Sequence, residues 1–181
     1  MKIIKKSAIF SDCRSYRYSL TRTWDVNKKY VLFIGLNPST ADENYDDPTI
    51  RRCVDYAHRW GYGGLVMTNL FAFRATLPMD LKNAKFPIGE ENNQFIINLH
   101  KNSGLTVAAW GNDGCFKERD KEVLSLVTKL VCLKINKTGQ PAHPLYQNKA
   151  TKLINYPAWV IIAKQPNRYI KTLLLPIIYS L

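Results

Sequence analysis

The run Val31-Leu32-Phe33-Ile34 constrains this chain more than any other feature: four apolar residues with no polar interruption, ending at Gly35. A strand with one face in water alternates apolar and polar residues, so an unbroken run reads as a central strand covered on both faces. The pattern returns at Leu65 to Leu70, finishing through Thr68-Asn69, at Leu105 to Ala109, running into Trp110-Gly111, and in the shorter Leu130 to Lys134. Helix signals lie between these runs. Asp46-Asp47-Pro48-Thr49 places an acidic cap before proline and predicts a helix to Trp60, ended by Gly61, Gly63 and Gly64. Pro87 and Gly89 mark the start of a second helix reaching Lys101, and a third is expected from about Lys117 to Lys129. Parallel neighbours need crossover connections, so this alternation predicts an α/β fold: three layers, α/β/α, around a mostly parallel central sheet.

A chain of 181 residues is the size of one domain, taken as 1–181, and can bury a core without disulfides or structural metal. The net charge of +12 is unevenly spread. Residues 1–30 hold eight Lys/Arg against two Asp, and residues 145–181 hold five and no acid, so the ends carry +6 and +5 and the middle is close to neutral. Brought together, the ends make a positive face able to release counterions from a polyanion; kept apart, they are a solubilising surface. Cys13, Cys53, Cys115 and Cys132 form no C-x-x-C pair and read as reduced thiols, with no metal or cofactor expected. No signal peptide and no membrane span is expected, and a cytoplasmic location follows. The basic, apolar tail 157–181, interrupted by Pro176, reads as core packing or an interface. Nothing in the sequence sets an oligomeric state.

In open α/β sheets ligands bind beyond the carboxyl ends of the strands. Four loops qualify: Gly35-Leu36-Asn37-Pro38-Ser39-Thr40-Ala41-Asp42, Asn69-Leu70-Phe71-Ala72-Phe73-Arg74, Trp110-Gly111-Asn112, and the segment from Gly139 through His143 to Tyr146. They supply amides, a hydroxyl, one Arg and one His, with no nucleophile beside a base. Such a set suits a flat, hydrogen-bonding heterocycle, because Asn matches a base edge and aromatic rings stack on its face. A nucleic acid or nucleotide is therefore the expected partner, contacted at Gly35, Pro38, Ser39, Asp42, Asn69, Phe71, Arg74, Trp110 and Tyr146. The opening segment alternates Arg14, Arg17 and Arg22 with Tyr16 and Tyr18. That pattern fits phosphate contacts with base stacking and equally fits an amphipathic edge strand or hairpin arm.

The blocks RSYRYSLTRTW, VLFIGLNPSTAD, YDDPTIRRC, WGYGGLVMTNLFAFRAT, AAWG and HPLY, spread over about residues 7–156, resemble the family labelled domain of unknown function 1643. A more distant resemblance is to the uracil-DNA glycosylase superfamily, a parallel α/β fold that binds a flipped base at its strand ends. Gly35-Leu36-Asn37-Pro38 is similar to its first motif, whose Asn orients the attacking water. Val66-Met67-Thr68-Asn69 is similar to the strand whose terminal Asn reads the base edge. Ala108-Ala109-Trp110-Gly111 and His143-Pro144 follow in the same order, the His of that last motif stabilising the departing base anion. The resemblance implies a uracil-DNA glycosylase-like fold and glycosylase-like hydrolysis of an N-glycosidic bond, with Asn37 and His143 catalytic, in DNA repair or base modification. Leu145 stands where those proteins carry Ser, and no segment supplies a leucine wedge, which weakens duplex DNA as the substrate. A non-catalytic base-binding module is the alternative.

Each residue also has an ordinary structural use. Asn37 before Pro38 is a common turn pair, Asn69 can cap a strand end, and a lone His such as His143 is usually a satisfied core or surface residue. Asp42, Asp46 and Asp47 could together hold magnesium, but helix capping is the simpler role for Asp46 or Asp47.

Overall fold

The structure, a computed structural model, describes residues 2–156. The apolar tail predicted after Tyr156 lies outside the described residues. Seven strands form one sheet in the order β1-β2-β4-β3-β5-β6-β7. They are β1 (Lys5–Phe10), β2 (Arg17–Thr23), β3 (Tyr30–Gly35), β4 (Gly64–Asn69), β5 (Leu105–Ala108), β6 (Val131–Cys132) and β7 (Ile154–Asn155). The helices are α1 (Pro48–Arg59), α2 (Pro78–Asn83), α3 (Asn92–Asn102) and α4 (Arg119–Leu126).

The apolar run at Val31 to Ile34 is the centre of the sheet, parallel to β4 on one side and β5 on the other. Its side chains alternate between two cores, as strand geometry requires. Val31 and Phe33 pack with Ile50, Cys53 and Ala57 of α1, while Leu32 and Ile34 pack with Leu81 of α2, Ile96 of α3 and Val123 of α4. Helices thus cover both faces, which is why the strand carries no polar residue. The α1 helix begins as its sequence predicts: Asp47 is the cap, its Oδ1 accepting the Ile50 N–H at 2.8 Å, and Pro48 fills the first turn.

The sheet is mixed, not mostly parallel. Three pairings are parallel (β4/β3, β3/β5, β5/β6) and three antiparallel (β1/β2, β2/β4, β6/β7). The basic opening segment closes a hairpin with β1 and lays β2 antiparallel on β4, where a crossover unit would have brought a parallel strand. β2 is consequently an inner strand, not an edge, and Tyr18, Ser19 and Leu20 are all buried. The predicted third helix is shorter than expected because Lys117 and Glu118 take left-handed backbone angles, φ 53° and 54°, so α4 starts only at Arg119. The second starts at Asn92, since Gly89, at φ 85°, turns the chain against Tyr16 and Tyr18. No helix among the described residues is long and apolar enough to cross a membrane.

Candidate functional site

Strand register assembles the site. Gly35 on β3 is the parallel partner of Asn69 on β4, and Ile34 is the partner of Ala108 on β5. The three strands therefore end level. The loops leaving them stay zipped for a few residues more, through Leu70 N–H to Gly35 O, Phe71 N–H to Leu36 O and Ala109 N–H to Ile34 O, each 2.9 Å. Beyond these ends a cleft of about 600 Å³ opens, the size of small-molecule sites.

Eight of the expected residues line it: Arg17, Gly35, Asn37, Ser39, Asn69, Trp110, His143 and Tyr146. Asn37 Nδ2 donates to the carbonyls of Ala75 at 2.7 Å and Pro38 at 3.0 Å, which fixes the amide and leaves Oδ1 as its acceptor. Asn69 Oδ1 accepts from Arg17 Nη2 at 3.3 Å, so its Nδ2 is the donor, lying against Gly35 so closely that a Cβ there would sit 2.6 Å away. His143 Nδ1 accepts from the Leu145 N–H at 3.4 Å, leaving Nε2 to carry the proton. Burial holds the His143 pKa below the ordinary histidine value, against a smaller opposing pull from Asp47, so the ring is neutral near pH 7. Tyr146 is 81% exposed at the mouth, its ring 5.6 Å from that of His143.

Not every expected residue presents a surface to a ligand. Trp110 is a wall and offers no open face: it is 1% exposed, its Nε1 bound to Gln140 at 2.7 Å and its ring edge-on to Tyr156. Phe71 is fully buried in the core against Phe116 and cannot stack on a ligand in the cleft. Pro38 contributes only its carbonyl to the Asn37 and Ala75 bonds. Asp42 bridges the Asn44 and Tyr45 N–H groups, bonds that lower its pKa, and stands outside the cleft. Arg74 and Arg14 line a neighbouring groove that shares Ser39, Ala75 and Thr76 with the cleft; both guanidinium groups lie over Phe10, and Arg14 pairs with Glu43 at 3.0 Å. Arg22 is corrected outright as a phosphate contact: it is fully buried and ion-paired with Asp46 at 2.7 Å. Arg17 is likewise no surface contact. It is 2% exposed and forms part of the cleft floor.

Asp47, expected as a helix cap or as part of an acidic cluster with Asp42 and Asp46, is also brought to the cleft wall. A signal for this existed: a cap on the helix that follows a central strand faces the carboxyl edge of the sheet. Asp113, also in the lining, is paired with Lys82 at 3.7 Å. Among the described residues no three His, Cys, Asp or Glu side chains converge to hold a metal, and all four cysteines are free thiols.

The chain belongs to the family described as "Protein of unknown function (DUF1643)", whose model matches residues 17–145, well over half of its length. That span contains every strand and loop that builds the cleft floor and ends at the loop carrying His143. No curated protein and no solved structure matches the chain.

Proposed function

We propose that the cleft recognises a nucleobase in a nucleic acid or nucleotide and hydrolyses its N-glycosidic bond, in the manner of the uracil-DNA glycosylases that its motifs resemble. The observation that carries this reading is that Asn37, Asn69 and His143, far apart in sequence, line one cleft with an acceptor, a donor and a neutral N–H donor respectively. Asn37 Oδ1 orients a water, Asn69 Nδ2 donates to the base edge, and His143 Nε2–H donates to the departing base. Water oxygen bonds to the sugar C1′ as the C1′–N pair leaves with the base. In this reading the Asp47 carboxylate, also in the cleft wall, takes the water's proton, which finally neutralises the base anion. Tyr146, not Phe71 or Trp110, supplies the stacking face. One preorganised donor aimed at developing charge is worth about 3 kcal/mol, or roughly a hundredfold in rate.

The test is release of free base, read by mass spectrometry, from single- and double-stranded oligonucleotides carrying uracil, mismatches, deaminated purines or hypermodified pyrimidines. Release slowed about a hundredfold in Asn37→Ala, as the loss of the group that positions the water predicts, supports the assignment; full activity of that variant sinks it. A second reading, base binding without cleavage, is favoured by the thin supply of acid/base groups in the cleft, whose two carboxylates are Asp47, the cap of α1, and Asp113, paired with Lys82. Salt-sensitive retention of oligonucleotide with no released base selects that reading.

A further inference from the structure

Among the described residues three arginines are buried: Arg17, Arg22 and Arg119. A buried guanidinium is costly unless its charge is matched. Arg22 is matched by Asp46 at 2.7 Å and Arg119 by Glu122 at 2.8 Å. Arg17 has no carboxylate within ion-pair distance among the described residues. Its Nη1 donates to Ala41 O at 2.8 Å, its Nη2 to Asn69 Oδ1 at 3.3 Å, and its buried Nε has no partner among the described residues. The carboxylates whose fields reach it, Asp47 and Asp42, are turned to the Ile50 N–H and to the Asn44 and Tyr45 N–H groups. Burial depresses the Arg17 pKa to about 10, which still leaves it charged at neutral pH.

The unmatched arginine is also the one in the cleft floor. It fixes Asn69 with its oxygen turned inward and its Nδ2 free, so this end of the cleft presents a donor backed by a cation. We propose that the ligand carries a permanent anionic oxygen seated against Arg17 and Asn69, and is thereby the missing counter-ion of Arg17. This deepens the base-recognition reading and rests on it: the oxygen belongs either to a phosphate of a nucleotide or to a carboxylate on a modified base. Charge-assisted, two-pronged contacts to such oxygens are what a guanidinium makes best.

Isothermal titration on the full chain separates these sources. A nucleoside 5′-monophosphate is compared with its parent nucleoside, and a 5-carboxypyrimidine with the unsubstituted base, on the wild type, Arg17→Met and Asn69→Asp. The expected result is that one anionic ligand binds the wild type at least about tenfold more tightly than its neutral parent, and that the preference vanishes in Arg17→Met. Asn69→Asp hands Arg17 an internal carboxylate, so that variant melts at a higher temperature and also loses the preference. The proposal is overturned if neither anion outbinds its parent, or if the preference survives in Arg17→Met. Should Arg17→Met not fold, a lower melting point for Asn69→Asp with the preference intact overturns it equally. Asn37-dependent base release with no anion preference removes this subsite and leaves the proposed function standing; Arg17-dependent anion binding without base release does the reverse.

Discussion

Replacing Gly35 by alanine tests whether the site is separable from the fold. The new Cβ would lie 2.6 Å from Asn69 Nδ2 and 3.5 Å from Met67 Sδ. Ordinary contact is about 3.5 Å, so the amide must retreat by roughly 1 Å, while the sulfur contact is already comfortable. What gives way is the end of a side chain, so the strand survives. The retreat stretches the Asn69 Oδ1 bond to Arg17, already 3.3 Å long. Losing that charged hydrogen bond costs about 1.5–3 kcal/mol, and the alanine returns about 0.5–1 by restricting the unfolded chain. The net loss is about 1–2 kcal/mol, equivalent to a melting point lower by roughly 2–8 °C for a protein of this size. A misplacement of 1 Å at a reacting group costs on the order of a hundredfold in rate. Calorimetry paired with base release or ligand titration should therefore show a folded protein with a crippled site. Unchanged affinity and turnover with a melting point within about 1 °C would refute the placement of Asn69. Gly63→Ala supplies the contrast: its Cβ would meet the Asp25 backbone oxygen at 2.1 Å and the Lys28 Cβ at 2.8 Å, where no side chain can swing away. That variant should lose about 3 kcal/mol or more, in the upper range for overpacking.

Asn92→Ala should lower urea-unfolding stability by about 2 kcal/mol, because the fully buried Asn92 Nδ2 donates to Asn69 O at 3.0 Å and Leu70 O at 2.9 Å, two bonds that alanine cannot make. A pH series tests His143. Its folded pKa lies below the unfolded value of about 6.5, so the unfolded chain takes up the proton first and stability falls as pH drops through that value. His100, also held down by burial, acts in the same direction. The melting point should fall from about pH 7.5 to 5.5, and less steeply in His143→Gln; an equal slope in that variant would show that His143 is not buried neutral.

The sheet centre was legible because burial on two faces leaves an unmistakable trace, the polar-free runs Val31 to Ile34 in β3 and Leu65 to Met67 in β4. The first helix was legible because Asp47-Pro48 is a local signal that needs no tertiary context. Strand direction was not legible. Nothing in Arg17 to Thr23 distinguishes an inner antiparallel strand from an edge, since its polar residues are there to make buried bonds: Arg17 to Ala41 O, Arg22 to Asp46. The two-residue strands β6 and β7 are held by neighbours, not by propensity. At the site, the loop backbones were predictable from strand ends. Which ring faces the cleft was not, because Phe71, Trp110 and Tyr146 look alike in sequence and only packing makes the first core, the second wall and the third exposed.

Arg17 shows why a basic sequence pattern misleads about where its charges act. Read as a surface alternation, Arg14, Arg17 and Arg22 belong to one class; in the fold they are an exposed ion pair, an unmatched buried cation and a matched buried cation. The drop of the Arg17 pKa to about 10 from the ordinary arginine range corresponds to about 3 kcal/mol spent keeping that charge in place. Because the folded pKa is the lower one, this penalty is fully present at neutral pH, where both states are protonated, and eases only as pH rises past about 10. Marginal stability leaves little room for such a cost in a chain of this size. A ligand that binds only the folded state returns it by mass action, and one carrying negative charge returns it where it arose. Arg17→Met should therefore cost no more than about 3 kcal/mol without ligand, the relieved burial offsetting much of the loss of the charged bonds to Ala41 and Asn69, each worth about 1.5–3 kcal/mol. A loss beyond about 4 kcal/mol on thermal or urea unfolding would instead make Arg17 a structural tie between β2 and the loop at Ala41, and would take the cation out of the cleft's chemistry.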